Sequence, residues 1–470
     1  MMTEDIAYLS LAEVSRRIRR RELTSETVTR ILLERIAHHD PRLNAVLLTL
    51  KEQALVLAKR ADAEIARGFW RGPLHGVPIG IKDNLWTQGL PTTGGMEVLK
   101  DFRPTADATV VRRLYQAGAV LIAKLHMTEG ALLAHHPVFG RPTNPWSAAH
   151  WTGVSSSGSG VAVAAGYCYA ALGTDTGGSI RLPSAANNLS GIKPSWGRVS
   201  RHGLLPLAES LDHIGPMARS VEDAALVLHA IAGADPEDPT SLIDPVPEYC
   251  AALSRGIDDL VIGIDWKYCT ENLPESGIAA LRNAVEVFTR LGARIRNVDF
   301  PASPEDNTTA RSIVVAEAAL AHAAHFPRLA DRYGPVLRAA LEGAAGIDTA
   351  TLARAYQAKD RFTGRMRAFF RDVDLVLTPA LGANLPAWSD FDALGNDLPG
   401  IFAISGTVAK FTMVFNLAGI PTLNLPGGFT KDGLPIGIQL AGAALAEPNL
   451  LRAGAAFQRT TDFHTKHPPL

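Results

Sequence analysis

Three residues able to do nucleophilic or acid–base chemistry stand in unusual settings. Ser179 directly follows Gly177 and Gly178 in GTDTGGSIR (Gly173 to Arg181), Ser155 sits in GVSSSGSG (Gly153 to Gly160), and Lys82 closes the apolar run GVPIGIKDN (Gly76 to Asn84). A backbone that turns through paired glycines can aim several N–H groups at one point. Such a turn is how an oxyanion hole is built beside a serine nucleophile. Each feature also has an ordinary explanation. A serine–glycine stretch is commonly a solvated loop, and a strand-end lysine commonly snorkels to the surface. Two observations favour the chemical reading: the serine cluster is flanked by apolar, small-residue sequence, and a second serine occupies its own glycine turn.

The elements that would position these residues read as α/β. Ser10 and Glu13 form an S-x-x-E capping box ahead of Leu11, Val14 and Ile18 at helical spacing. Thr24 caps a second helix, with Val28, Ile31, Leu32 and Ile36 on its apolar face, expected to end before Asp40-Pro41. From residue 74 onward, short apolar runs broken by glycine and proline read as strands: Val77 to Ile81, Val120 to Leu125 and Tyr169 to Leu172, with a helical segment at Ala108 to Gln116. Leu260 to Ile264, the amphipathic stretch ending at Gly292, and Ala293 to Val298 form a strand–helix–strand unit. Leu375 to Leu377 adds a strand. Thr422 to Leu425 and Pro435 to Leu440 flank Asp432-Gly433 as a hairpin, so the sheet is mixed, and a helix over Pro448 to Arg459 closes the chain. No repeat or linker divides the 470 residues. The fold class is therefore α/β, one large domain with a mixed, twisted central sheet covered by helices on both faces.

Composition excludes more than it assigns. Lysine and arginine total 46 against 47 acidic residues, so charge implies neither nucleic acid nor an anionic membrane. The basic run Arg16, Arg17, Arg19, Arg20 and Arg21 reads as a solvated helix face. Cys168, Cys250 and Cys269 are few and lack metal-ligand spacing, which fits buried thiols in a reducing compartment. There is no secretory h-region and no apolar run long enough to span a bilayer, so the cytoplasm is the expected location by default. Neither serine makes a G-x-S-x-G elbow, no H-E-x-x-H occurs, and Val163 breaks the dinucleotide fingerprint that Gly158 and Gly160 could begin. No cofactor and no metal are expected.

Taken together, GVPIGIKDN, GVSSSGSG and GTDTGGSIRLPS resemble the amidase signature family in order, spacing and residue type. The resemblance continues from Gly191 to Ser220 and returns from Phe415 to Gly442; between 300 and 400 little beyond DLVLTP is recognisable. It implies a single amidase domain over 1–470, with N-terminal helices in 1–66, a catalytic core in 70–220 and a variable substrate-pocket region in 300–400. It further implies a triad of Lys82, Ser155 and Ser179: Ser179 as nucleophile, Ser155 as proton relay after a cis Val154–Ser155 bond, and a neutral Lys82 as base. The oxyanion donors would be the N–H groups of Thr176, Gly177, Gly178 and Ser179. Asp175 and Arg181 would pin the turn. Val154 and Ser157 replace glycines of the usual GGSSGGS pattern.

Within that family two readings remain. One is a stand-alone amidase for a small, apolar amide, with a carbamate or ester as the substrate-level alternative. The other is the glutaminase component of a tRNA-dependent amidotransferase, whose tyrosine- and arginine-rich glutamine-binding stretch is not recognisable here. The absence of that stretch favours the stand-alone enzyme, and the alanine-rich segment Ala310 to Gly346 is expected to pack or to line an apolar pocket, which suits an aryl or alkyl amide better than a charged amino-acid amide. His126, Met127 and Met96 follow strands near the site, either as pocket wall or as ordinary packing. The partner is then a small-molecule amide or carbamate, without nucleic acid or membrane; a homodimer stays open.

Overall fold

The computed structural model describes residues 3–395 and 397–470. Eleven strands among them form one mixed sheet: β1 Val46–Thr49, β2 Pro78–Lys82, β3 Val120–Leu125, β4 Ala170–Asp175, β5 Ser190–Lys193, β6 His213–Ala218, β7 Val261–Ile264, β8 Arg294–Asn297, β9 Leu375–Pro379, β10 Thr422–Phe429 and β11 Pro435–Gly442. Their order is β1-β3-β2-β4-β6-β5-β10-β11-β9-β7-β8. Helices flank the sheet, including Val221–Ile231 against β4 to β6 and Glu447–Thr460 against β10 and β11. Every residue of β2, β3 and β4 is buried, which accounts for their near-continuous apolar sequence.

The site is set by three central strands. β2 and β4 pair in parallel, so both leave the sheet at the same edge, and β6, antiparallel to β4, enters there. The ends of β2 and β4 and the start of β6 therefore bring Lys82, Asp175 and His213 to one edge. The helix Ser157–Ala164 follows the serine loop and is wholly buried. Its small residues are required by space: a Cβ on Gly158 would stand 2.4 Å from the His126 nitrogen.

The structure departs from the sequence expectations in a few places. The helix capped by Thr24 runs through Pro41 to Leu43 and ends at Asn44, which has a φ of 50° and donates its N–H to the Asp40 carbonyl at 2.8 Å. Pro41 falls in the last turn, where it removes one donor from an exposed face, and the Asp40 carboxylate takes the N–H groups of Ala45 and Val46 beyond it. The N-terminal region also supplies an edge strand, β1, antiparallel to β3. The Asp432-Gly433 hairpin forms between β10 and β11. Among the described residues no helix is long and apolar enough to cross a membrane.

Candidate active site

Lys82 is completely buried, and its Nζ lies 2.8 Å from Ser155 Oγ and 2.8 Å from Thr174 Oγ1. Thr174 is anchored in turn by the Asn84 amide, which donates to the same oxygen at 3.1 Å. Burial pushes the Lys82 pKa down, against the opposing pull of the Asp175 and Asp212 charges, to about 7. Near neutrality the amine therefore has a lone pair to offer Ser155.

The serine loop is fastened to β4. Ser156 Oγ donates to the Thr174 carbonyl and accepts the Thr174 N–H, both at 3.2 Å, while the Ser156 N–H donates to the Ser179 carbonyl at 3.3 Å. The Val154–Ser155 peptide bond is cis. Gly153, with a φ of 75°, lets the loop pass against Pro183: a Cβ there would stand 2.2 Å from the Pro183 Cα.

After β4 the chain turns through Thr176, Gly177 and Gly178 to Ser179, which is half-buried and lines a cavity of about 1230 Å³. The turn is held from beneath by the Asp175 carboxylate. It accepts the N–H groups of Gly178 (2.7 Å) and Ile180 (3.0 Å), both arms of Arg181 (2.9 Å each) and the Asn416 amide (2.8 Å). Burial alone would raise the Asp175 pKa, but the Arg181 charge and these donors hold it well below the usual carboxylate range. Arg181 is also fully buried and reaches the Thr412 carbonyl, Gln439 and Asn416. Asp175 and Arg181 thus lie together beneath the turn.

One expected oxyanion donor is redirected. The Gly178 N–H points down into the Asp175 carboxylate, because that carboxylate needs donors in a buried site, so Gly178 does not offer its N–H to the cavity. Thr176, Gly177 and Ser179 line the cavity. Thr176 is fixed through its hydroxyl, which donates to Asp212. Asp212 also takes the N–H groups of Leu207 and Ala208, and its burial raises its pKa to about 6.

Thr174, Asn84 and Asp212 were not singled out from the sequence. Asn84 lies inside the GIKDN stretch and Thr174 inside GTDTGG, so their motifs were visible although their contacts were not. Asp212 joins the site only through the β4–β6 pairing. His126, Met127 and Met96 do not line the cavity. His126 lies by the carbonyls of Met127 and Phe139, and the two methionines join an apolar cluster with Ala310, Ile313 and Leu337. The alanine-rich segment thus packs through one face while Arg311, Val314 and Val315 line the cavity from another. Near Ser179 the wall is apolar: Trp151, Val154, Leu182, Leu207 and Met413. Among the described residues no group of three His, Cys, Asp or Glu could hold a metal.

Residues 27–451 match the Amidase family. This chain belongs to the amidase signature family. It is accordingly a hydrolase of carbon–nitrogen bonds. AmiD of Mycobacterium tuberculosis, named as an amidase, is 43% identical over 465 residues, covering 99% of this chain and 97% of its own length. A glutamyl-tRNA(Gln) amidotransferase component from Chloroflexus aggregans is 40% identical over 495 residues, covering 100% and 99%. The native peptide amidase of Stenotrophomonas maltophilia superposes with a TM-score of 0.82 at 30% identity, covering 98% of each chain.

Proposed function

We propose that this member of the amidase signature family is a self-sufficient serine amidohydrolase for small, apolar amides. The observation that carries the reading is the buried Lys82–Ser155 contact of 2.8 Å beside a glycine turn that sets Ser179 in the cavity wall. Ser179 Oγ attacks the amide carbonyl carbon while its proton passes to Ser155 Oγ, whose own proton passes to the neutral amine of Lys82. The tetrahedral oxyanion is held by the backbone N–H groups of Thr176, Gly177 and Ser179, each worth roughly 3 kcal/mol. As the C–N bond breaks, the leaving nitrogen takes the proton back from Ser155, which is replenished by Lys82, and an ester remains on Ser179. Water then attacks that ester, losing its proton along the same relay, and the acid is released.

The apolar wall next to Ser179 supports an alkyl or aryl group beside the scissile bond. A carbamate or ester carbonyl suits the same attack geometry and stands as the substrate-level alternative. The second reading, a glutaminase that passes ammonia to partner chains, is favoured by the 40% identity to the amidotransferase component. The two separate on one experiment: the purified chain alone against glutamine and against apolar amides. The proposal expects hydrolysis of apolar amides without partners, in the cytoplasm, and loss of it in Ser179→Ala by at least about ten-thousandfold.

A further inference from the structure

The outer part of the cavity carries a cation that hydrolysis leaves without a task. The helix Pro304–His322 begins at its N-cap Ser303 and turns Ser303, Asn307, Arg311, Val314 and Val315 toward the cavity. Residues three or four apart share a helix face, so one wall of this space passes from polar to apolar side chains. The Arg311 guanidinium reaches across to the helix Leu398–Val408: its Nη1 lies 3.7 Å from where a Cβ on Gly406 would stand. Among the described residues Arg311 is exposed and has neither an ion-pair nor a hydrogen-bond partner. Asn307 Oδ1 is buried without a partner.

Most other charges on the rim are committed. Lys410 pairs with Glu271 at 3.0 Å and lies over the rings of Tyr268 and Phe411, and Asp265 accepts the N–H groups of Tyr268 and Phe300. The lining cations Lys267, Arg311 and Lys410 balance the carboxylates Asp265, Glu271 and Asp299 in number, so what sets Arg311 apart is its unpaired guanidinium and not an excess of positive charge. A guanidinium presents parallel N–H groups that match a carboxylate, and the NH2 of Asn307, which unlike its Oδ1 is not enclosed, can donate to the same ligand. Val314, Phe402 and Met413 give the same cavity apolar wall, Met413 lying against Gly177 of the nucleophile turn.

We propose that Arg311, with Asn307, forms a carboxylate-binding subsite at the outer end of the catalytic cavity, and that the enzyme's substrates are amides whose apolar body ends in an anionic group. The proposal rests on Ser179 being the nucleophile in this cavity. It assigns the two ends of the substrate: the amide at Ser179, the carboxylate at Arg311.

Equilibrium binding to the Ser179→Ala protein tests the subsite without turnover. The ligands are straight-chain primary amides of increasing length that end in a carboxylate, a methyl or an ammonium group, with suberamate and octanamide as the central pair. At a matched length the carboxylate form is expected to bind about ten- to a hundredfold more tightly than the methyl form. The ammonium form is expected to bind more weakly than either, and the preference to shrink with added salt because Arg311 is exposed. Adding Arg311→Met should bring the carboxylate-to-methyl ratio to about one, and Arg311→Lys should leave an intermediate ratio. A ratio near one in the Ser179→Ala protein at every length, including failure of both forms to bind, overturns the subsite. So does a preference that survives Arg311→Met. Hydrolysis of octanamide by the unaltered enzyme, and its loss in Ser179→Ala, reports separately on the nucleophile.

Discussion

At Lys82 two effects of opposite sign meet. Burial strips the ammonium of water and lowers its pKa, while the carboxylates of Asp175 and Asp212 raise it, and the balance falls at about 7. Only the neutral amine can take the proton relayed by Ser155, so kcat/KM should rise with pH through an apparent pKa near 7 and level off above it. A pH–rate profile checks this, and Lys82→Met should lower kcat by about a hundred- to ten-thousandfold at the plateau. Asp212→Asn removes one of the carboxylates that stabilise the ammonium. The Lys82 pKa should fall and the rising limb should move to lower pH; the same variant should lower kcat, because an amide that keeps its one oxygen on the Leu207 and Ala208 N–H groups turns its NH2 toward the Thr176 hydroxyl, which can then no longer donate there. Ser155, Ser179 and Lys82 were legible in the sequence because each lies in a local motif that dictates its setting. The direction of the Gly178 N–H was not, since it depends on where the Asp175 carboxylate points. Asp212 was hidden for a related reason: its hydrogen bond to Thr176 spans 36 positions of chain.

Among the elements, the glycine turns set how closely the serine loop and the nucleophile turn approach. Gly153→Ala would force a Cβ to within 2.2 Å of the Pro183 Cα, at a φ of 75° that disfavours any side chain. A backbone neighbour cannot swing aside as a side chain can. Thermal or denaturant unfolding should show a loss of about 1–3 kcal/mol or more, and steady-state kinetics should show kcat falling more than KM rises, since the loop carries Ser155. β2 and β3 were readable from their apolar runs to within a residue, whereas β4 and β10 continue three and four residues past their expected ends, to Asp175 and Phe429. β5, reading SGIK, and β6, reading HIGPMA, were not recognised, being short and interrupted by glycine or proline. They are strands because long-range neighbours complete their ladders: β6 pairs with β4 and β5, and β5 pairs with β10. The helix through Pro41 shows the converse, a breaker tolerated where only a final turn is at stake.

Across the whole molecule, the Asp175–Arg181 pair ties the nucleophile turn to distant parts of the chain. Arg181 reaches Thr412, Asn416 and Gln439, so β4, the segment before β10 and β11 converge on one buried charge cluster. Arg181→Met would leave the Asp175 carboxylate buried with its main countercharge gone. Denaturant unfolding should report a loss of about 3–5 kcal/mol. A mixed α/β architecture was legible from alternating apolar runs and helical segments, but the strand order was not, because the crossover from β5 to β10 leaves no local mark. Chain-wide similarity to both an amidase and an amidotransferase component makes self-sufficiency the property to test. The most direct measurement is product mass spectrometry on the purified chain, without partners, against glutamine, alkyl and aryl amides, anilides and carbamates, with Ser179→Ala in parallel. The account predicts acid and free amine or ammonia from apolar amides, abolished in Ser179→Ala. Undiminished turnover in that variant, or hydrolysis confined to glutamine, would contradict it.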